Sequence, residues 1–147
     1  MIIKPLTPDL SVMPQVSEAD IAELARQGFK SIIGNRPESE APEQPAWTTI
    51  AAAAQSHGMK ARHIPVVASQ IGDDDVAAFA AALRDLPTPI AAFCRTGTRS
   101  TILWALANDG SHSANERIRI AAAQGYDLEP FRARIESAQT LPASKPD

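Results

Sequence analysis

The stretch between residues 89 and 106 combines a strand, a tight loop and a helix, and it constrains the fold more than any other part of the chain. Residues 89–93 form a short apolar run, which predicts a buried strand. From Arg99 onward, apolar side chains recur at helical spacing until Asp109 and Gly110, which predicts a helix and its end. The loop between them begins at Cys94, the only cysteine of the chain. This loop therefore joins the carboxyl end of a strand to the amino end of a helix.

A loop at this point offers the donors that an anion requires. The first N–H groups of a helix have no intrahelical partner, and the helix dipole places partial positive charge there. Gly97 permits backbone conformations in which successive N–H groups converge on one point. Guanidinium and hydroxyl donors are added by Arg95, Thr96, Thr98, Arg99 and Ser100. We predict that Cys94 and Arg99 are catalytic and that the other loop residues, Gly97 included, bind the substrate.

These surroundings favour the thiolate form of Cys94, which is the nucleophilic form of a cysteine. The alternative interpretation is a lone buried cysteine that acts as a small apolar side chain. The number of donors next to Cys94 makes this alternative the weaker one.

Strands and helices alternate along the rest of the chain. Apolar runs predict strands at residues 10–13, 29–33 and 61–67. Helical spacing predicts helices at residues 17–27, 47–55, 73–83, 115–124 and 128–137. The alternation predicts a single α/β domain over residues 1–140, with a central, mainly parallel sheet flanked by helices. Residues 141–147 contain two prolines and no periodicity, so we expect a flexible tail there.

Three other groups of residues could take part in function. Arg36 follows the strand predicted at 29–33, and we expect it to contact the substrate because parallel strands end at one edge of the sheet. The alternative is an arginine that is solvated or paired for structural reasons. His63 is interpreted as a strand residue, with acid–base catalysis as the alternative. The three carboxylates at residues 73–75 are interpreted as helix caps rather than as metal ligands or catalytic acids, and Asp73 begins that group.

The composition narrows the possible partners. The net charge of −3 provides no basic stripe for nucleic acid. The three histidines show no metal-ligand spacing, so we expect no metal and no other cofactor. No segment reaches the length of a membrane span or has the pattern of a signal peptide. We expect a cytoplasmic protein that acts on a small sulfur-containing or otherwise anionic substrate.

Five segments resemble the phosphatase-like domain of the beta-lactamase hydrolase-like protein family: GFKSII (28–33), NRP (35–37), Glu40, HIPV (63–66) and CRTGTRS (94–100). The resemblance extends from about residue 15 to residue 104. It implies a fold like that of dual-specificity phosphatases, in a family whose members are labelled phosphatases or sulfurtransferases. Some members are fused to a metallo-beta-lactamase-like domain resembling persulfide dioxygenases, which implies a partner enzyme of that type and a role in persulfide metabolism.

Two features favour sulfur transfer over phosphate hydrolysis. Four residues separate Cys94 from Arg99, as in the six-residue loop of rhodanese-type sulfurtransferases that this loop also resembles, whereas cysteine phosphatases have five. Residues 67–72 contain no carboxyl that could serve as general acid, and such an acid contributes about 10²–10⁴-fold in rate. We therefore predict a sulfurtransferase with a persulfide on Cys94. The alternatives are a phosphatase with a cysteinyl-phosphate intermediate and a non-catalytic anion-binding or persulfide-sensing module.

Overall fold

The computed structural model of the protein describes residues 1–107 and 109–138, and a five-stranded sheet lies at its centre. The strands are β1 (Lys4–Thr7), β2 (Leu10–Met13), β3 (Ser31–Gly34), β4 (Lys60–His63) and β5 (Ile90–Phe93). Their order across the sheet is β1-β2-β5-β3-β4. The β1–β2 pairing is antiparallel, and the pairings β2–β5, β5–β3 and β3–β4 are parallel. The mainly parallel sheet predicted from the sequence is confirmed.

Helices cover both faces of the sheet. They are α1 (Glu18–Arg26), α2 (Trp47–Ser56), α3 (Asp73–Asp85), α4 (Thr98–Leu106), α5 (Ala114–Ala123) and α6 (Arg132–Glu136), with 3-10 turns at Ala68–Gln70 and Glu129–Phe131. Consecutive strand residues face opposite layers, so Ile32 packs with α1 and α2, while Ile33 packs with the other helices. Each layer of helices packs on one face of the sheet and encloses its own apolar core there.

Side-chain caps account for two helix starts that the sequence predicts. Ser17 accepts a hydrogen bond from the Asp20 N–H, and Asp20 accepts one from the Ser17 N–H, which is the capping box that begins α1. At α3, the Gly72 N–H donates to Asp75 Oδ2 at 2.9 Å. Asp75 therefore has the capping role expected for the carboxylates at residues 73–75.

The structure differs from the sequence-based prediction at both ends. The edge strand β1 was not predicted. The helix predicted at 128–137 is a 3-10 turn at Glu129–Phe131 followed by the five-residue α6. The flexible tail predicted at residues 141–147 lies outside the described residues. No helix within the described ranges is long and apolar enough to cross a membrane.

The register of the sheet determines which loops meet. Phe93, the last residue of β5, pairs with Met13 on one side and with Gly34 on the other, and Gly34 pairs in turn with His63. Because these strands are parallel, the segments that follow them leave the sheet at one edge. Cys94 is the first residue after β5 and lies at the middle of that edge.

Candidate active site

Cys94 lies at the base of its loop, with 1% of the residue exposed. Its Sγ accepts a hydrogen bond from the Gly97 N–H at 3.1 Å. Gly97 has a φ of 96°, in the left-handed region that glycine adopts without the steric cost of a Cβ. Helix α4 begins at the next residue, Thr98. The sulfur therefore lies at a helix N-terminus, where negative charge is favoured.

Three successive carbonyls of the loop have partners that fix the peptide planes. The Gln15 N–H binds Arg95 O (3.3 Å), the Tyr126 hydroxyl binds Thr96 O (2.9 Å), and the Thr101 N–H and hydroxyl bind Gly97 O (3.1 and 2.8 Å). In a planar trans peptide, the C=O and the following N–H point in opposite directions. The N–H groups that follow these carbonyls therefore point away from the three partners, and one of them reaches Sγ.

The Arg99 guanidinium lies beside Cys94 and is held by Glu40. Arg99 Nη1 donates to Glu40 Oε2 at 2.7 Å and to Val66 O at 2.9 Å, and Nη2 donates to Glu40 Oε1 at 2.8 Å. The hydrogen bond to Glu40 raises the pKa of Arg99 against the effect of burial, and the charge of Cys94 raises it further. These bonds use three of the five guanidinium protons. The other two, on Nε and Nη2, lie along one edge of the guanidinium.

Glu40 is shared by two arginines, and we call Arg36, Glu40 and Arg99 the arginine–glutamate cluster. Arg36 Nε donates to Glu40 Oε1 at 2.9 Å, and Arg36 Nη1 donates to Gln15 Oε1 at 3.1 Å. The Arg99 hydrogen bond, supported by Arg36, lowers the pKa of Glu40 to about 2 against the opposing effect of burial. Glu40 is therefore ionised at neutral pH, and the cluster keeps one net positive charge at the edge of the site.

Asn35 connects the loop to the neighbouring strands, a role that the sequence analysis did not identify. It is fully buried, its Nδ2 donates to Ile64 O at 2.9 Å, and its Oδ1 accepts from the Ser100 hydroxyl at 2.8 Å. The Asn35 N–H also binds Phe93 O at 2.8 Å. The sequence signal that could have identified Asn35 is the Asn-Arg-Pro segment directly after a buried strand, because polar residues at that point face the site.

The structure brings all the predicted loop residues to one edge, but in different environments. Arg95 and Thr96 are exposed, and the hydroxyls of Thr96 and Thr98 lie 3.0 Å apart. Ser100 is buried against Asn35. Arg36, expected to contact the substrate, is 7% exposed and occupied by its pairing with Glu40. The contact of each residue with a substrate stays a prediction.

His63 and Asp73 lie in structural contacts. His63 Nε2 is 3.1 Å from Arg36 O, and the imidazole stacks on Trp47 with ring centroids 4.9 Å apart. The Asp73 carboxylate is fully exposed and lies 3.5 Å from Arg134 Nη2. Within residues 1–107 and 109–138, no group of three or more His, Cys, Asp or Glu side chains is arranged to hold a metal ion.

Comparison with protein families and curated proteins gives consistent matches. The family model described as the phosphatase-like domain of beta-lactamase hydrolase-like protein matches residues 3–111. A beta-lactamase hydrolase-like protein from Agrobacterium fabrum is 36% identical over 121 residues, and one from Xylella fastidiosa is 32% identical over the same length. The match covers 81% of this chain but 28% of each relative, so the chain spans under a third of their length.

Solved structures show the same fold. A candidate phosphatase from Neisseria meningitidis superposes with a TM-score of 0.84 at 36% identity, over 95% of this chain and 99% of that one. The core catalytic domain of a PP-IP phosphatase from S. cerevisiae has a TM-score of 0.67 at 15% identity, over 93% and 85% of the two chains, which shows the fold alone. These matches confirm the cysteine-phosphatase-like fold. They support the phosphatase alternative better than the predicted sulfurtransferase.

Proposed function

This chain belongs to the family of the phosphatase-like domain of beta-lactamase hydrolase-like proteins, and we propose that it is a cysteine-dependent phosphatase. The observation that carries the proposal is the convergence of the Gly97 N–H, the start of α4 and the Arg99 guanidinium on Cys94 Sγ. Donors fixed in this way stabilise both a thiolate and the oxygens of a phosphoryl group.

The reaction has two displacement steps. In the first, Cys94 Sγ attacks phosphorus, the bond between phosphorus and the leaving oxygen breaks, and that oxygen departs with the bonding electrons. The two remaining N–H donors of Arg99, and the loop N–H groups that follow the three fixed carbonyls, bind the phosphoryl oxygens. In the second step, water attacks phosphorus and loses a proton to solvent, the S–P bond breaks, and phosphate and the thiolate are released.

The supply of a proton to the leaving oxygen limits the choice of substrate. Glu40, the carboxylate bound to Arg99, has a pKa of about 2 and carries no proton at neutral pH. The segment between β4 and α3, residues 64–72, contains no Asp or Glu. We therefore propose substrates whose leaving group is stable as an anion, such as aryl phosphates or phosphoanhydrides. Alkyl phosphates, which need a proton donor, are expected to react poorly.

A series of aryl phosphates tests this function. We expect kcat/KM to fall steeply as the leaving phenol becomes less acidic, because the full negative charge stays on the departing oxygen. Cys94→Ser should be inactive towards every substrate and serves as the control. A wild-type protein that neither hydrolyses the most activated aryl phosphate nor binds vanadate would refute the proposal.

Sulfur transfer is the second candidate, and the four-residue spacing between Cys94 and Arg99 favours it. A smaller ring of N–H groups suits a terminal sulfur better than a phosphate. In this reaction, the Cys94 thiolate attacks the outer sulfur of thiosulfate, the S–S bond breaks with release of sulfite, and a persulfide remains. Mass spectrometry after incubation with thiosulfate or glutathione persulfide should then show one added sulfur on Cys94, which cyanide removes. A reaction of this kind, without phosphatase activity, would restore the sulfurtransferase prediction.

A further inference from the structure

We propose that Tyr126 is a positioning residue that holds the peptide between Thr96 and Gly97 in the orientation that directs the Gly97 N–H at Cys94. The Tyr126 hydroxyl donates to Thr96 O at 2.9 Å, and the Gly97 N–H donates to Cys94 Sγ at 3.1 Å. The inference rests on the proposed function only for the identity of the anion that the loop binds.

The two hydrogen bonds belong to one peptide group. Thr96 contributes the C=O and Gly97 the N–H, and these point in opposite directions because the peptide is planar and trans. A flip of this peptide would break both bonds and turn the carbonyl oxygen towards Sγ, where it would repel a thiolate. Glycine gives little resistance to such a flip, because it adopts positive and negative φ about equally readily. The Tyr126 hydroxyl lies on the side of the peptide opposite Cys94, and its hydrogen bond to Thr96 O supplies the restraint that glycine lacks.

A defined turn presents Tyr126 to the loop. At the end of α5, Gly125 has a φ of 92°, its N–H binds Ala122 O at 2.9 Å, and the Tyr126 N–H binds Ala121 O at 3.0 Å. This pair of bonds is the Schellman motif, which fixes the direction of the residue after the glycine. Lys4 Nζ lies 4.4 Å from the centre of the Tyr126 ring, which is a cation–π contact. The hydroxyl is therefore carried by a rigid element.

The fit between Tyr126 and the loop is close. A Cβ added to Gly97 would lie 2.1 Å from Tyr126 Oη and 2.9 Å from Cζ. Burial, together with the nearby charge of Cys94, raises the pKa of Tyr126 above its ordinary value. The phenol therefore keeps its proton at neutral pH and remains a donor to Thr96 O.

The variant Tyr126→Phe removes the hydroxyl and keeps the ring. We expect vanadate to bind about tenfold more weakly, because the loss of one aligned donor to a charged group has roughly this effect. The rate of Cys94 alkylation by iodoacetamide at mildly acidic pH, relative to alkaline pH, should also fall, since the thiolate loses its N–H donor. The Gly97 amide proton should shift upfield in NMR spectra as its hydrogen bond weakens.

Ser31→Ala is the matched control. The Ser31 hydroxyl is fully buried and donates to Pro87 O at 2.7 Å, at the opposite end of β3 from Gly34. Ser31→Ala should lower thermal stability by about as much as Tyr126→Phe does, because each variant removes one hydroxyl that donates to a backbone carbonyl. It should leave vanadate binding, the alkylation ratio and the Gly97 resonance unchanged. If Tyr126→Phe behaves like this control, the proposal is overturned. If wild-type protein binds no vanadate but the alkylation ratio still falls in Tyr126→Phe, the proposed phosphatase function fails and the positioning role stands.

Discussion

The Cys94 loop is held on two sides by interactions of different kinds. On one side, neutral hydroxyls bind backbone carbonyls, from Tyr126 to Thr96 and from Thr101 to Gly97. On the other side, the arginine–glutamate cluster binds through charged groups, with both terminal nitrogens of Arg99 on Glu40. The first side sets where the backbone donors point, and the second sets the charge that faces the anion.

This division has a physical consequence. Hydrogen bonds between neutral groups respond little to salt or to pH near neutrality, whereas ion pairs respond to both. Substitutions on the neutral side should therefore change the geometry of the loop, and substitutions on the charged side should change its electrostatics. The four predictions below separate the two sides.

Arg99→Lys should have the largest effect. We expect kcat/KM for an activated aryl phosphate to fall about 10²–10³-fold, because lysine offers a point charge and cannot bind Glu40 and the phosphoryl oxygens with separate edges. Arg95→Lys makes the same replacement at an exposed position of the loop, and it should cost far less. Equal effects of the two variants would show that the position of the Arg99 guanidinium has no geometric role.

Gly97→Ala tests the neutral side. The new Cβ would collide with Tyr126 Oη at 2.1 Å and would occupy a backbone conformation with φ of 96°, so the peptide should move away from Cys94. We expect kcat/KM to fall by about 10²-fold, the effect of losing one anion-binding donor. In the double variant with Tyr126→Phe the effects should not add, because the collision with Oη is removed. Strict additivity would contradict the close fit between the two residues.

Glu40→Gln should have a smaller effect of about tenfold on kcat/KM, comparable with the loss of one charge-assisted hydrogen bond. Arg99 would keep its charge but lose the carboxylate that orients it. Glu43→Gln changes the same charge at an exposed position of the same loop and is the control. If the two variants are equally active, Glu40 does not position Arg99.

The pH dependence of stability should show the smallest and most specific effect. The pKa of Glu40 is lowered from 4.5 to about 2 in the folded protein, so its pairing stabilises the fold fully above pH 4.5. That contribution is lost as the pH falls towards 2. The difference in melting temperature between wild type and Glu40→Gln should therefore narrow as the pH is lowered below 4.5. A difference that stays constant over this range would contradict the charged pairing.

Local patterns predicted much of the fold. Residues 10–13 were predicted as the strand that the structure shows, and the helix predicted to begin at residue 17 corresponds to α1, which Ser17 caps. The missed strand β1 contains Pro5 and buries only Leu6, so neither alternation nor an apolar run marks it. Cys94 and the loop around it were also identified from the sequence, because their residues are consecutive.

The supporting residues of the site could not be predicted in the same way. Glu40 and Arg99 are 59 positions apart, and Tyr126 and Thr96 are 30 apart. No periodicity or spacing in the sequence connects them, because their contacts depend on strand order and on the direction in which α5 ends. The family resemblance included Glu40 but gave it no role. The phosphatase alternative gained its support from the family match over residues 3–111 and from the folds of solved structures rather than from the loop motif.

Tyr126 also bears on how activity is assigned to relatives of this chain. The match to the family model ends at residue 111, so it includes the CRTGTRS loop and the arginine–glutamate cluster but not the turn that carries Tyr126. A motif search restricted to the matched region treats chains with and without a hydroxyl at this position as equivalent. If Tyr126 positions the loop, relatives that share the CRTGTRS loop and the arginine–glutamate cluster would still differ in activity. Those with a hydroxyl at the position of Tyr126 would be more active than those without it. The end of α5 is then the position to compare before an activity is transferred from one member to another.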